Sequence, residues 1–399
     1  MGQGKKRGGT GSGRNKRSAS GRPAPGREGS ECCHRCGRSA CISNWAGAGL
    51  CRTHFEEEFA KKVGASVREF SMILPGEHVA VALSGGKDSV TLLHMLARLG
   101  KRLPMKLSAL LVDEGIGGYR PKTVQVARKE CRKLGVKLHI VSFEKEFGMP
   151  LDRMLKTTAQ GDAGSPGAAR EAGGTGLAAH ASDACRADKK AKKAGAGGKT
   201  QESDAGRLAR SAEPPSRKRQ GACTYCGVFR RYLLNAGAAR LGADKLAMGH
   251  NLDDAAQTVL LNLFRNEPAR LARFWPAPKP EEGRKMFVPR IMPLIRCYEK
   301  EIATWAVLND IRIEFMSCPY AQEAMRQQVR RLLNDMEEKY PGTKSRMFNA
   351  FLRMRPWLAK GAAAEEGGGL MECARCGEAS ASDVCAACRL LEGMKNRRR

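Results

Sequence analysis

The amino-acid sequence predicts an α/β fold built on a doubly wound parallel sheet. Two observations predict it. Apolar runs of roughly four to eight residues, the length of strands buried on both faces, recur along the middle of the chain. The stretches between these runs place apolar residues at the spacing of an amphipathic helix. Strands that alternate with helices form parallel sheets, whose ligands bind at the carboxyl ends of the strands.

The first strand is predicted at residues 78–83, a Val-rich run with Pro75-Gly76 before it and a Ser-Gly-Gly turn after it. A helix over 88–99 follows, and Gly100 ends it. The other predicted elements are a helix over 55–70, strands over 106–112 and 136–143 with a helix over 121–134 between them, a helix over 225–241, a strand over 245–248, a strand-like segment over 311–315 and a helix starting near Ala321.

Two segments have the composition of chain that does not fold. Residues 1–30 and 157–220 consist mainly of Gly, Ala, Ser, Lys and Arg, with almost nothing apolar to bury. We therefore predict a disordered basic tail and a disordered insertion. The predicted units are this tail at 1–30, a cysteine-rich module with its linking helix at 31–70, a main domain at 71–360 that contains the insertion at 157–220, and a second cysteine-rich module with a basic tail at 361–399.

The charge of the chain favours a polyanionic partner. Lys and Arg number 70 and Asp and Glu number 41, which leaves +29. Nucleic acid is the first candidate and an acidic membrane surface the second. No stretch approaches about 18 consecutive apolar residues, so we predict no membrane span, no secretory signal and an intracellular protein. In a reducing compartment, 15 cysteines point to metal binding or catalysis rather than to disulfides.

The turn after the first strand is suited to hold a phosphate. It consists of Ser84, Gly85, Gly86, Lys87, Asp88 and Ser89. Glycine lets the backbone approach a phosphate, a helix N-terminus presents free N–H groups, and Lys87 with two hydroxyls adds charge and donors. The spacing is neither GxxxxGK[ST] nor GxGxxG. We expect Asp113, after the second strand, and the segment after the fourth strand at the same edge; that segment is Gly249, His250, Asn251, Leu252, Asp253 and Asp254.

Two sets of paired ligands have the spacing of structural zinc sites. The N-terminal set is Cys33, Cys36, Cys51 and His54, and the C-terminal set is Cys373, Cys376, Cys385 and Cys388. Each x2 pair forms a knuckle that supplies two ligands of a tetrahedron. Two knuckles satisfy one ion and leave no open position, so the two sets predict zinc rather than redox chemistry.

A third pair, Cys223-x2-Cys226, opens a predicted helix and has no second pair nearby. A helix N-terminus lowers the pKa of a thiol, which makes both residues candidate thiolates. A thioredoxin-like redox pair and a third zinc site are the alternatives. Cys318, after the strand-like segment, is a candidate third member, although spacing alone does not bring it there.

The loop at 84–89 resembles the PP-loop of the ATP pyrophosphatase superfamily, whose members split ATP between the α- and β-phosphates and adenylate a carbonyl oxygen. From Cys33 to Cys388, without the insertion, the chain resembles the tRNA 2-thiolation family of archaeal, bacterial and eukaryotic enzymes. The motifs that carry the resemblance are the two zinc sets, the SGGKDS loop, the CTYCGVFRR segment at 223–231 and the GHNLDDAAQT segment at 249–258.

The resemblance implies an oxygen-sensitive 4Fe-4S cluster on Cys223, Cys226 and Cys318, with a fourth iron open to sulfur. A persulfide or a disulfide on the same cysteines is the alternative. Members related to the bacterial enzyme carry a catalytic Lys where this chain has Arg230. A guanidinium stays charged, so Arg230 would stabilise a phosphate or the adenylate rather than act as a base. Asp254 matches the partner acid of the family.

The implied reaction is ATP-dependent substitution at C2 of a tRNA uridine. ATP adenylates O2, pyrophosphate leaves, Mg²⁺ neutralises the phosphates, and a sulfur species at the three cysteines replaces AMP. The VFRR sequence is closer to the eukaryotic branch, which favours the wobble uridine over one in the T loop. Arg326 and Arg330 share a helix face with Arg331 beside them, which predicts contacts to tRNA phosphates.

The family also implies partners and a location. These are a ubiquitin-like thiocarboxylate carrier as sulfur donor, a second related subunit in a homodimer or heterodimer, and the cytoplasm. Three other functions stay open. A PP-loop ligase for a small molecule needs neither zinc modules nor excess basic charge, and a non-catalytic zinc-ribbon RNA-binding protein needs no intact SGGKDS loop. The third keeps the tRNA but changes the target to a cytidine or to a T-loop uridine.

Overall fold

The structure, a computed structural model, describes residues 1–2, 31–43, 48–160, 222–277, 287–311, 318–320, 325–365, 371–380 and 382–396. The predicted basic tail beyond residue 2 lies outside these ranges, and so does the predicted insertion beyond residue 160. The strand-like segment predicted at 311–315 is described only at Ile311. The predicted start of a helix near Ala321 also lies outside them.

Strands and helices alternate through the described residues. The strands are β1 (Ile42–Ser43), β2 (Gly49–Leu50), β3 (His78–Ala82), β4 (Lys106–Asp113), β5 (Lys137–Ser142), β6 (Lys245–Ala247), β7 (Arg290–Ile291), β8 (Met371–Glu372) and β9 (Ala379–Ser380). The helices are α1 (Arg52–Glu69), α2 (Lys87–Leu99), α3 (Arg120–Leu134), α4 (Phe143–Phe147), α5 (Leu151–Gln160), α6 (Ala222–Arg240), α7 (Leu252–Phe264), α8 (Pro268–Arg273), α9 (Glu299–Leu308), α10 (Met325–Lys339), α11 (Thr343–Glu365) and α12 (Ala386–Asn396).

The predicted elements up to β6 are present, with ends within three residues of the predicted ones. Two predicted domain boundaries fall inside helices. α5 continues to Gln160 and so includes the first four residues of the predicted insertion. α11 runs across the predicted boundary between residues 360 and 361.

The central sheet has five parallel strands in the order β5-β4-β3-β6-β7. This confirms the predicted doubly wound α/β fold. The chain moves outwards from β3 to β4 and β5, and then returns to the other side of β3 with β6 and β7. The strand order therefore reverses between β3 and β6, which is where open α/β sheets bind their ligands. Sequence patterning missed β7 because only two of its residues pair with β6.

The two faces of the sheet belong to two hydrophobic cores. Val79 and Val81 of β3 face one core, and Ala80 between them faces the other, as the two-residue period of a strand requires. The N-terminal module packs into the first core through Cys33, Leu50, Cys51 and Phe55. The C-terminal module packs into the second through Cys373, Cys385, Ala387 and Met394. Each terminal module thus extends one face of the main domain.

Within the described part of the chain, no helix combines the length and apolar character needed to span a bilayer. The fourteen cysteines described there are all free of disulfide bonds.

Candidate active site at the carboxyl edge of the sheet

A cavity of about 300 Å³ opens beside the carboxyl ends of β3 and β6. Three parts of the chain that the sequence analysis treated separately contribute to its wall. Among the residues that line it are Ser84, Asp88, Ser89, Glu114, Tyr119, Arg120, Arg230, Gly249, His250 and Cys318. The loop after β3, the segment after β6 and one of the predicted cluster cysteines therefore share one cavity.

Glycines allow the loops after β3 and β6 to pack closely. Gly85 has φ +83°, and a Cβ there would lie 2.2 Å from the carbonyl oxygen of Thr123. A Cβ on Gly249 would lie 3.1 Å from the backbone nitrogen of Ser89. The backbone after β6 is therefore pressed against the first turn of α2, where the phosphate is expected.

The two loop hydroxyls stabilise the loop itself. The Ser84 N–H donates to Ser89 Oγ at 3.1 Å, and Ser89 Oγ donates to the Gly86 carbonyl at 3.0 Å. The Gly86 N–H donates to Ser84 Oγ at 3.3 Å. These hydrogen bonds fix the backbone of the turn at the N-terminus of α2. The free N–H groups of that helix end face the cavity edge.

Lys87 lies between two carboxylates. Its Nζ is 3.0 Å from Asp88 Oδ2 and 2.8 Å from Glu299 Oε1. Burial lowers the pKa of Lys87, but the two carboxylates more than offset this and the pKa is raised. Burial also raises the pKa of Asp88, and Lys87 offsets only part of that effect. Sequence reasoning missed Glu299, because acidic residues in the first turn of a helix such as α9 are common without a site.

Three other predicted residues occupy this edge with different roles. His250 is half-buried, and its Nδ1 has no hydrogen-bond partner among the described residues. Burial lowers the pKa of His250, which keeps the imidazole neutral near pH 7. Asp254 caps α7 with Asn251 and lies 3.5 Å from Arg326. Asp113 accepts from the Gly115 N–H at 2.9 Å and is not among the residues that line the cavity.

The three predicted cluster cysteines come from two segments that meet. The Cys223 thiol donates to the carbonyl oxygen of Tyr320 at 3.2 Å, which seats residues 318–320 against the start of α6. Cys318 lines the cavity. Cys226 lies one turn into α6 and is buried. Burial raises the pKa of Cys226 and Arg230 only partly opposes it, so the expectation of a lowered pKa at the helix N-terminus was wrong for Cys226.

A buried carboxylate connects the cysteines to the phosphate loop. Glu114, which follows β4 directly, lies 2.9 Å from Arg120 Nε and 2.7 Å from Arg230 Nε. Arg120 donates to the Ser84 carbonyl at 3.0 Å. Arg230 donates to Cys226 Sγ at 3.0 Å. Arg230 is thus paired with Glu114, whereas Asp254, the acid that the resemblance gave as its partner, is paired with Arg326.

Glu114 and Arg120 were missed by sequence reasoning. The available signal was a second acid after Asp113 at the carboxyl end of a buried strand, where charged residues seldom lie without a role. Nothing in the sequence indicated that Arg120 and Arg230 share it, because the two arginines lie on different helices.

The two predicted zinc sets are assembled. Within the described residues, each set has its four donor atoms within 4.8 Å of one another. In the N-terminal set, Cys33 Sγ and His54 Nδ1 are 3.3 Å apart. In the C-terminal set, the Cys385 N–H donates to Cys373 Sγ, and chiefly for this reason the pKa of Cys373 falls to about 6. Three sulfurs with one imidazole, and four sulfurs, are both donor sets that suit a tetrahedral zinc ion.

The arginines proposed for RNA binding divide into two kinds. Arg330 donates two hydrogen bonds to Glu299, and Arg326 pairs with Asp254, so both face acids at the cavity edge. Arg331 is exposed on the same helix.

A second group of arginines was not predicted. Burial lowers the pKa of Arg231, with added repulsion from Arg230 and Arg270. Burial and the nearby Arg231 likewise lower the pKa of Arg290. Like charges crowded together attract a polyanion.

Comparison with known proteins identifies this arrangement. A family model described as a PP-loop domain matches residues 53–160. The chain is 33% identical over 376 residues to the tRNA 2-thiolation protein NcsA of Haloferax volcanii, an alignment that covers 91% of this chain and 99% of that protein. The chain belongs to the tRNA 2-thiolation family. It is therefore a PP-loop enzyme of the tRNA sulfurtransferase class, as the motifs implied.

Other members of the tRNA 2-thiolation family differ in the base that their names specify. Cytoplasmic tRNA 2-thiolation protein 1 of Drosophila melanogaster is 30% identical, over 91% of this chain and 88% of that protein. The tRNA-5-methyluridine(54) 2-sulfurtransferase of Pyrococcus horikoshii is 27% identical, over 90% of this chain and 92% of that protein. A solved structure of the U34-tRNA thiolase NcsA from Methanococcus maripaludis with its 4Fe-4S cluster superposes with a TM-score of 0.63, at 26% identity, over 91% of this chain and 96% of that one.

Proposed function

We propose that this protein is an ATP-dependent tRNA uridine 2-sulfurtransferase that acts on the wobble uridine of the anticodon. One observation carries the proposal. Ser84, Asp88 and Ser89 of the PP-loop line the same cavity as Cys318, and the segment that holds Cys318 is seated on Cys223. A nucleotide bound by the loop and a sulfur atom held by the thiols would meet there at a single base.

The first step is adenylation of the base. The uridine O2 attacks the α-phosphorus of ATP, an O–P bond forms, the bond to the bridging oxygen of the β-phosphate breaks, and pyrophosphate leaves. The free N–H groups of α2 and the ammonium of Lys87 stabilise charge on the phosphates. Mg²⁺ would neutralise more of that charge. Asp88 and Glu299 hold Lys87 at the loop before the nucleotide arrives.

The second step is substitution at C2. A C–S bond forms, the C2–O2 bond breaks, and AMP leaves with the former O2 oxygen. The sulfur nucleophile must approach from the side of the cavity where Cys318 lies. The neutral imidazole of His250, whose Nδ1 has no partner among the described residues, orients the base by a hydrogen bond.

The donor set fits the 4Fe-4S cluster that the Methanococcus structure carries. Cys223, Cys226 and Cys318 would hold it, and it would supply an iron with an open position for a sulfide ion. These three sulfurs are not among the described groups whose donor atoms come within 4.8 Å of one another. The two tighter sets would each hold one zinc with a structural role.

The tRNA supplies the polyanion that the charge of +29 favours. Arg231 and Arg290 lie close enough together to repel each other, and Arg331 is exposed on α10. We assign these three to phosphate contacts. Arg326 and Arg330 are already paired with Asp254 and Glu299. Either arginine would therefore contact a phosphate only if RNA or ATP reached its ion pair.

Two findings support the wobble position. The relative whose name specifies U34 superposes over most of both chains, and Arg230 replaces the Lys of the bacterial-type enzymes. The Pyrococcus relative named for position 54 keeps a T-loop uridine as the second candidate.

We further propose a ubiquitin-like thiocarboxylate carrier as sulfur donor, a second related subunit in a homodimer or heterodimer, and a cytoplasmic location, which the name of the Drosophila relative supports.

The test uses full-length protein reconstituted anaerobically with iron and sulfide, then incubated with ATP, sulfide and an unmodified tRNA transcript. We expect 2-thiouridine at U34 by nucleoside mass spectrometry, with AMP formed in step with it. A transcript with cytidine at position 34 is the matched control and should stay unmodified. Thiolation at position 54, or formation of 2-thiocytidine, would show that the target is not the wobble uridine. Pyrophosphate release that ignores tRNA would indicate a small-molecule ligase.

A further inference from the structure

We propose that Glu114 is a positioning residue that joins the nucleotide loop to the sulfur site, by holding Arg120 against the PP-loop and Arg230 against Cys226. The inference rests on the proposed sulfurtransferase function and deepens it. It assigns Arg230 to the sulfur side of the reaction, whereas the sequence had suggested a contact to phosphate or adenylate.

The geometry is a continuous chain of contacts. Glu114 Oε1 is 2.7 Å from Arg230 Nε, and Glu114 Oε2 is 2.9 Å from Arg120 Nε. The contact to Arg120 is an ion pair without hydrogen-bond geometry, since neither of its two atoms has a hydrogen-bond partner among the described residues. Beyond Arg120 the chain continues to the Ser84 carbonyl at 3.0 Å, and Arg120 also donates to the Val112 carbonyl. Each oxygen of one carboxylate therefore serves a different arginine, one on α3 and one on α6.

Burial makes these contacts specific. Glu114 is 2% exposed and Arg120 is 4% exposed, so neither side chain finds water as an alternative partner. Removing one member of such a pair leaves the other charge buried and uncompensated. Glu114 also follows β4 without an intervening residue, so the sheet fixes where its carboxylate lies.

The same contacts restrict what Arg230 can do. A guanidinium is a rigid planar fork. With its Nε directed at Glu114, its terminal nitrogen reaches Cys226 Sγ at 3.0 Å. While both contacts hold, Nε and one terminal nitrogen of Arg230 are committed to Glu114 and Cys226, and only the other terminal nitrogen is left for a further partner. A hydrogen bond from a cation to a cluster thiolate stabilises the added electron, and so raises the reduction potential of the cluster.

The experiment measures two properties of each full-length variant. The first is the reduction midpoint potential of the reconstituted cluster, and the second is the Kd for a non-hydrolysable ATP analogue by calorimetry. Arg230→Met should move the potential to a more negative value and leave the Kd within about twofold. Arg120→Met should weaken nucleotide binding about tenfold, the size expected for loss of a charged hydrogen bond, and leave the potential in place.

Glu114→Gln should change both properties, and its effect on the potential should largely disappear in the Arg230→Met background. The control is Glu130→Gln. Glu130 is also buried and is hydrogen-bonded to His94 at 2.9 Å, but it lies outside the cavity, so neither property should change. If Glu114→Gln does not fold, the two arginine variants still decide the question.

An Arg230→Met protein with weakened nucleotide binding and an unchanged potential would overturn the proposal. So would a Glu114→Gln effect that persists in full without Arg230. Iron analysis distinguishes failure of the positioning role of Glu114 from failure of the proposed sulfurtransferase function. If the protein binds no iron, the cluster assignment fails, while the nucleotide affinities of the three variants still test the positioning role.

Discussion

The Cys223 sulfur lies 3.2 Å from the carbonyl oxygen of Tyr320, which is 97 residues further along the chain. The Tyr320 hydroxyl in turn donates to Asp152 Oδ1 at 2.9 Å, so both the backbone and the side chain of Tyr320 are held. Asp152 is itself fixed by the Gly117 N–H. This arrangement brings a distant cysteine to the cavity that the PP-loop lines.

Asp88→Ala should reduce thiolation by about 100-fold or more, because misplacing Lys87 at the loop misaligns the phosphates. Asp88 contacts both Lys87 and Asn251, which join the loops after β3 and β6. The tRNA affinity should stay within about twofold, since the substituted side chain faces the nucleotide. Steady-state thiolation and a tRNA-binding titration check this, with exposed Asp335→Ala on α10 as the control. Full activity of Asp88→Ala would refute the role of the loop.

Cys318→Ser should lose the brown absorbance of the reconstituted protein and its thiolation activity together. Cys318 lines the cavity, and we propose it as the third thiol of the cluster site. Iron content and the absorption spectrum check this. Cys41→Ser is the control, because Cys41 is exposed and lies outside both zinc sets. If Cys318→Ser kept its colour and its activity, Cys318 would be no ligand.

Cys385→Ala should remove one of two zinc ions per chain and lower the melting temperature, because metal binding supplies part of the folding free energy of such a module. Cys385 packs into the core that holds Phe229 of α6. Inductively coupled plasma analysis and thermal unfolding check this, and Cys41→Ala should keep both ions. A full zinc content in Cys385→Ala would show that the C-terminal set does not bind as proposed.

The free energy of unfolding should fall as the pH drops through about 6.5, in part because of His94. Burial lowers the pKa of His94, and Glu130 offsets only part of this. The unfolded chain therefore takes up a proton that the folded chain resists, so acid favours unfolding. Urea unfolding at pH 7.5 and 5.5 measures the slope. His94→Gln should flatten it and Glu130→Gln should steepen it, and equal slopes in all three proteins would contradict the assignment.

Arg231→Ala should weaken tRNA binding several-fold and reduce the salt dependence of the affinity by about one counterion. Neighbouring arginines crowd Arg231, so a phosphate there relieves repulsion as well as adding an ion pair. Binding measured across a salt series checks this. Arg98→Ala is the control, because Arg98 is exposed at the far end of α2, away from the PP-loop. An unchanged slope in Arg231→Ala would move the RNA contact elsewhere.

The sequence predicted the features that depend on local pattern. The strands from β3 to β6, the SGGKDS turn and both sets of paired zinc ligands can each be recognised from a few neighbouring residues. Parallel topology then placed the segments after β3 and β6 at one edge, because only one edge of such a sheet carries the carboxyl ends.

The features that were missed depend on contacts between distant segments. Glu299 reaches Lys87 across 212 residues, and Glu114 is shared by arginines from two helices. The pairing of Arg330 with Glu299 was missed for the same reason, since helical spacing predicts which side chains share a face but not what that face meets. The pKa of Cys226 was misjudged because burial in the tertiary structure raises it, and burial is not visible from the position of the residue in a helix.

A single carboxylate that serves two guanidinium groups also limits how this family can diverge. A neutral residue at position 114 would leave the buried cation at position 120 without a counter-charge, so the two positions should change together between species or not at all. Arg230 has 46% of its side chain exposed and can be exchanged more freely, provided that a positive charge is kept. Covariation among positions 114, 120 and 230 in an alignment would therefore reveal that these three side chains are paired.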